Sequence, residues 1–298
     1  MQRRDFNRIA SLASAGFALQ PLSILTSCNS KENNSEIAKI GLQLWTVRES
    51  IEKNLEETLS RVAEVGYAGV ETAFWPEHIS IEQAATALRK FDLPVFSIHC
   101  ELPVGKEREN ILKMTEAYKC NRIVWHGWPE DPRYKTQAGT LELVDIYNDA
   151  GEFSKKEGLV FGVHNHWWEF EKNEDGKFPF EILFNELHED IFFEIDTYWV
   201  KVAGQDPAGI VGKFGKRAPL LHIKDGPATW TDSLDEDQPD PMVAAGQGIQ
   251  DFPAIVSAAN GNTEWMIVEL DNCATDMMIA VQESYTYLVE NGLGIGKG

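Results

Sequence analysis

Four side chains have the types to hold one metal ion together: His164, Asp196, His222 and Glu269. Each closes a short apolar run, LVFGVH, IFFEID, PLLH and WMIVE. Two imidazoles and two carboxylates form a mixed nitrogen and oxygen shell. That shell suits Mn, Zn, Co or Fe(II) better than Ca or a thiolate-seeking ion. His164-Asn165-His166 alternates, so on a strand both rings point to one side. One ring suffices for the ion, and the other can face a substrate. Lys224 follows His222 by two residues and offers positive charge to a developing oxyanion. The competing reading of Asp196 and Glu269 is a salt-bridge network with Lys224 and Arg217. The sequence contains no HExxH, GxSxG or Walker pattern, so zincin, serine-hydrolase and P-loop chemistries have no direct support.

These residues need a scaffold that brings run ends together. β-rich runs begin near Ile40, Gly69, Pro94, Arg122, Leu159, Ile191, Pro219 and Trp265. Between them lie helical patterns such as Leu55/Leu59/Val62, Ile111/Met114/Tyr118 and Met277/Val281/Tyr285. Ser80 to Gln83 reads as a capping box, and Gly66 and Gly158 stand where helices should stop. Eight strands alternating with helices predict a parallel sheet closed as a (β/α)8 TIM barrel, one domain over residues 37–298. An open doubly wound sheet is the runner-up, but Gln43-Leu44-Trp45-Thr46 is not its glycine-rich turn. Gly292-Leu-Gly294-Ile-Gly296 follows a helix and reads as a tail.

In such a barrel the chemistry lies at the C-terminal strand ends. Read in order, those ends carry Gln43, Glu71, His99, His126, His164 with His166, Asp196, His222 with Lys224, and Glu269. An unpaired polar group in a core costs roughly 2–7 kcal/mol, so this recurrence points to a polar site. Eight of the nine tryptophans fall at strand ends or just beyond: Trp45, Trp75, Trp125, Trp128, Trp167, Trp168, Trp199 and Trp230. Indole faces beside polar groups suit sugar rings. Gln43, Trp45, Glu71, His99, His126, Trp168, Trp199 and Arg217 are therefore the expected substrate contacts. The stretch from Gly226 to Gln247 is long and acidic, as a lid or insert would be.

With 43% apolar and 25% charged residues the chain is globular. Its formal net charge of −20 argues against nucleic-acid binding. Arg3-Arg4 precedes an apolar stretch from Ile9 to Leu25, too short and interrupted to span a membrane well. Residues 1–27 read as a twin-arginine signal peptide, and Leu25-Thr-Ser-Cys28 as a lipobox with Cys28 lipidated. Loss of 1–27 takes the net charge to −22. Residues 28–36 read as a tether, giving an exported, periplasmic or envelope protein whose only membrane contact is its anchor. Cys100, Cys120 and Cys273 are expected to be free and mostly buried, with a Cys100–Cys120 bridge as the unsupported alternative.

Segment 40–270 resembles the xylose-isomerase-like barrel family of sugar phosphate isomerases/epimerases. The resemblance rests on His164-Asn165-His166-Trp-Trp-Glu169-Phe170, Asp196-Thr-Tyr-Trp199-Val, Leu221-His222-Ile-Lys224-Asp225, and Gly246-Gln-Gly248 leading to Asp251-Phe. By that resemblance Asp196, His222 and Glu269 match metal-ligand positions, and His164 stands where the sugar epimerases carry glutamate. The resemblance implies a divalent ion that stabilises an enediolate, with Glu269 or His166 taking the proton from carbon and no nicotinamide cofactor. Reprotonation gives isomerase or epimerase products. Loss of a β-substituent gives a lyase or dehydratase on keto-sugars or 3-keto-glycosides. His164 in the glutamate position tilts the balance toward a one-base reaction. The reading from another class is a non-catalytic sugar-binding lipoprotein.

Overall fold

The computed structural model describes residues 37–229 and 241–298. The expected signal, tether, Cys28 and Trp230 lie outside the described residues, as does most of the acidic stretch. Eight parallel strands close into one barrel: β1 Lys39–Gln43, β2 Gly69–Thr72, β3 Val95–Cys100, β4 Arg122–Trp125, β5 Val160–His164, β6 Phe192–Asp196, β7 Leu220–Ile223 and β8 Trp265–Val268. Closure is made by β1 against β8, with Ile40 beside Met266 and Leu42 beside Val268. The open-sheet alternative is thereby excluded.

Ten α-helices follow among the described residues: α1 Arg48–Lys53, α2 Leu55–Val65, α3 Ile81–Lys90, α4 Glu107–Tyr118, α5 Gln137–Lys156, α6 Pro179–Glu186, α7 Thr197–Val202, α8 Pro207–Phe214, α9 Phe252–Ala259 and α10 Met277–Glu290. Their boundaries follow local chemistry. The Ser80 hydroxyl accepts from Gln83 N while the Gln83 side chain accepts from Ser80 N, a complete capping box for α3. Gly66 ends α2 at φ 107°, a conformation that favours glycine. The tail is docked: Ile295 exchanges backbone hydrogen bonds with Ala38 and Ile40 beneath β1.

Strand alternation splits the core in two. Leu221, Ile223, Met266 and Val268 face outward and pack with the helices. Val124, Phe192, Leu220 and Ile267 face inward, joined by Phe96 and Trp265. Phe96 and Trp265 stack with ring centroids 3.8 Å apart. Their bulk fits because Gly41 and Gly69 face them, as Gly162 faces Phe192; a Cβ at any of the three would overlap a ring or the Pro94 carbonyl. The barrel interior is thus plugged by aromatic rings below, and its inward positions above the plug are polar. Cys100, Cys120 and Cys273 are free, the first two buried and the third partly so.

Candidate active site

Asp196 ends β6 and also caps α7: its Oδ1 accepts from Tyr198 N and Trp199 N. That leaves Oδ2 aimed into the barrel with no hydrogen-bond partner, although it is fully buried. β7 supplies His222 level with Asp196 in the sheet register, then Lys224 on the same side. The Asn165 side chain bonds both the N–H and the C=O of Asp196, tying β5 to β6 at the mouth. One ligand atom from each of His164, Asp196, His222 and Glu269 lies within 4.8 Å of the other three. His222 Nδ1 is 2.6 Å from Glu269 Oε2 and 3.9 Å from Asp196 Oδ2. His164 Nε2 is 4.0 Å from Asp196 Oδ2. Neither Asp196 Oδ2 nor His222 Nδ1 makes an aligned hydrogen bond. Convergence of these buried nitrogen and oxygen atoms, held by ion-pair contacts rather than aligned hydrogen bonds, fits a divalent ion of the kind the donor set suits.

Lys224 is 2% exposed and lies 3.0 Å from Asp196, 2.8 Å from Glu269 and 2.7 Å from Asp271. The salt-bridge network weighed against the metal reading is therefore present, built on Lys224. Burial opposes charge on Lys224, yet these three carboxylates hold its ammonium well above the usual lysine range. Burial likewise opposes charge on Glu269, and Lys224 with His222 keeps the carboxyl well below its usual range. Asp196 goes the other way: burial outweighs Lys224 and pushes it up to about 6. Burial drives His164 down to about 3 and holds His166 neutral.

Below this group lies a second polar layer that contains a residue the sequence reading missed. Glu194, fully buried, receives three rings on one oxygen: His99 at 2.5 Å, His164 Nδ1 at 3.2 Å and His222 Nε2 at 3.2 Å. Glu71 accepts from His222 Nε2 at 2.9 Å and from the Gln43 amide at 2.7 Å. The signal for Glu194 was available: Glu194-Ile-Asp196 has the same alternation as His164-Asn165-His166. Asp271, two residues after Glu269, was missed in the same way. Glu169 belongs to the motif that runs from His164 to Phe170. It accepts from His166 N and the Trp168 indole, holding the turn after β5.

The profile of the xylose isomerase-like TIM barrel matches residues 59–283. The chain belongs to the xylose isomerase-like TIM barrel family. No curated protein sequence matches it significantly. Among solved structures it is similar to a sugar phosphate isomerase/epimerase from Parabacteroides distasonis, with TM-score 0.68, 23% identity, and coverage of 84% of this chain and 93% of that one. It is also similar to an L-ribulose 3-epimerase, with TM-score 0.62, 15% identity, and coverage of 86% and 95%. A third is the probable 3-DHS dehydratase AsbF of Bacillus anthracis, with TM-score 0.65, 14% identity, and coverage of 84% and 98%. At these identities the structural likenesses speak for the fold.

As a member of the xylose isomerase-like family the chain carries its polar strand ends where expected, but several expected substrate contacts are corrected. Glu71 binds Gln43, His99 and His222, and His99 also meets Glu194, all in the lower layer, because strand alternation turns them into the closed interior. Trp168 and Trp199 are buried, and their rings lie around His166 with centroids 4.5 and 6.0 Å away. Arg217 sits at the opposite end of the barrel, before β7, where its guanidinium donates to the carbonyls of Phe184, His188 and Ile191. It can neither reach substrate at the mouth nor join the Lys224 network. Trp45 and Trp128 remain 37% exposed on the rim, and His126 is half-buried with Phe74 edge-on at 5.1 Å.

Proposed function

We propose that the protein is a divalent-metal-dependent enzyme of sugar isomerase/epimerase type, moving a proton beside a sugar carbonyl. The observation that carries this reading is the meeting of His164, Asp196, His222 and Glu269 beside a buried Lys224 at the strand ends of this barrel. His164, Asp196, His222 and Glu269 would hold the ion, which supplies Lewis-acid polarisation of a carbonyl oxygen. Glu269 is the base: Lys224 and His222 keep it ionised, and a carboxylate at the mouth can take a proton from carbon. Lys224 stabilises negative charge as it grows on the substrate oxygen. His166, neutral and with Nδ1 unpartnered, accepts a hydrogen bond from a substrate hydroxyl.

The two flanks of the site are unequal, one ionised carboxylate against one buried neutral imidazole. That inequality favours a one-base outcome, either aldose–ketose conversion or elimination from a keto-sugar or 3-keto-glycoside, over two-base epimerisation. Export and anchoring through Cys28 belong to the same reading and favour unphosphorylated sugars or glycosides over sugar phosphates.

The test is incubation of the metal-loaded protein with sugars and 3-keto-glycosides in D2O, followed by NMR. Deuterium at the carbon beside the carbonyl, or an unsaturated product, is expected. Glu269→Gln should slow that chemistry by about 10²-fold or more. Turnover with neither deuterium uptake nor elimination would refute the proton-transfer reading. Sugar binding with no turnover of any kind would leave a binding lipoprotein.

A further inference from the structure

We propose that, without substrate, the divalent ion rests one strand step deeper than the mouth, on His99 Nε2, His164 Nδ1, His222 Nε2 and Glu194 Oε2. This deepens the functional reading above, but it depends on the ion alone and on no sugar chemistry.

Four strands, β3, β5, β6 and β7, deliver these atoms, and all four lie within 4.8 Å of one another. An ion with bonds of about 2.0–2.1 Å in a tetrahedral shell separates its ligands by roughly 3.3 Å. Of the three spacings to Glu194 Oε2, two are 3.2 Å and fit that shell as they stand, and the 2.5 Å contact of His99 has to open. His164 Nδ1 and Glu194 Oε1 are buried without hydrogen-bond partners, as is Glu71 Oε2 beside them. Three imidazoles and one carboxylate suit Zn, Co, Mn or Fe(II).

Lys224 separates the two layers. At the mouth its ammonium already sits against the oxygens an ion would take, 3.0 Å from Asp196 Oδ2 and 2.8 Å from Glu269 Oε2. Below, Glu71 and Glu194 are fully buried, and among the described residues their ion-pair partners are histidines only. Buried carboxylates need a cation close by, and among the described residues the lower pair meets only imidazoles, each of which as a neutral ring has a lone pair to give an ion in that role. The rings enforce a choice as well. His164 and His222 turn opposite nitrogens to the two layers, and a neutral imidazole has one lone pair to give. Through neutral rings, these two histidines hold an ion in one layer or the other.

The experiment uses the full chain loaded with less than one equivalent of Co(II) or Zn(II), with no sugar present. X-ray absorption counts the imidazoles on the ion. Three are expected, whereas a two-imidazole shell would overturn the proposal. Titration of folded Asp196→Asn/Glu269→Gln protein should still give one bound ion. Adding His99→Ala to that background should weaken binding at least ~100-fold, more than loss of an outer-sphere partner does. Circular dichroism confirms folding, and Glu269→Gln alone serves if the double variant fails to fold. A folded mouth variant that binds no ion, or binding that His99→Ala leaves unchanged, would also overturn it. Neither outcome depends on whether deuterium exchange is seen, so this proposal and the functional reading fail separately.

Discussion

Lys224 holds together three carboxylates that would otherwise repel one another inside the protein. Lys224→Met removes the cation and leaves the acids buried. It is expected to cost about 3–5 kcal/mol in urea unfolding, unless metal is added to replace the charge. An unchanged unfolding midpoint would mean that the network is solvated and weak. Glu169 gives a residue-level test in pH. Burial raises its carboxyl to about 8 despite its hydrogen bonds from His166 N and Trp168. A carboxyl raised in the folded state binds its proton there more tightly than in the unfolded chain. Its stabilisation is therefore complete below the unfolded value, near 4.5, and is lost as pH climbs through about 8. Glu169→Gln drops one acceptor and should be the less stable protein at pH 5. The gap to the unsubstituted protein should then narrow by pH 9, and a constant gap across that range would show that Glu169 does not titrate there.

Strands and helices obey packing constraints that the sequence states openly. Inward rings on β3, β6 and β8 face glycines on β1, β2 and β5, so Gly162→Ala drives a Cβ into the Phe192 ring. About 1–3 kcal/mol of destabilisation is expected in chemical denaturation. A neutral result would mean that the plug is loosely packed. All eight strands, the capping box at Ser80 and the stop at Gly66 were legible because periodicity and cap chemistry are local. The convergence of the mouth quartet was legible for the same reason, since each of its residues lies within one residue of a strand's C-terminal end. What was not legible depended on depth and rotation. Gln43, Glu71 and His99 look the same in sequence as His164, but they point into the closed layer. Arg217 lies only five residues before His222, yet a whole strand length separates their ends of the barrel. The tryptophans do gather after the strand ends, but Trp168 and Trp199 are buried around the His166 ring rather than open on the rim.

For the molecule as a whole, Asp225 ties the chain after β7 to the segment that returns toward β8. Its carboxylate accepts from Gly226 N, Gly246 N, Gly248 N and Gln250 N. A Cβ at Gly248 would collide with that carboxylate, which accounts for the glycine in the Gly246-Gln-Gly248 motif. Among the described residues no helix is long and apolar enough to cross a membrane. The proposed lipid at Cys28 lies outside the described residues and is tested separately. Cys28→Ser should move the protein from the membrane to the soluble fraction, and unchanged fractionation with no lipid labelling would defeat that proposal. The aromatic plug beneath the polar layers has a further effect, on traffic. Phe96, Trp265 and Phe192 make the interior a blind alley, so hydrogen leaves by the route the substrate uses to enter. On the proposed mechanism, a proton taken by Glu269 while substrate fills the mouth would be shielded from bulk water and would go back to carbon more often than it escapes. Label uptake from solvent should therefore lag behind turnover, with less than one deuterium per product molecule early in the reaction and more as product re-enters.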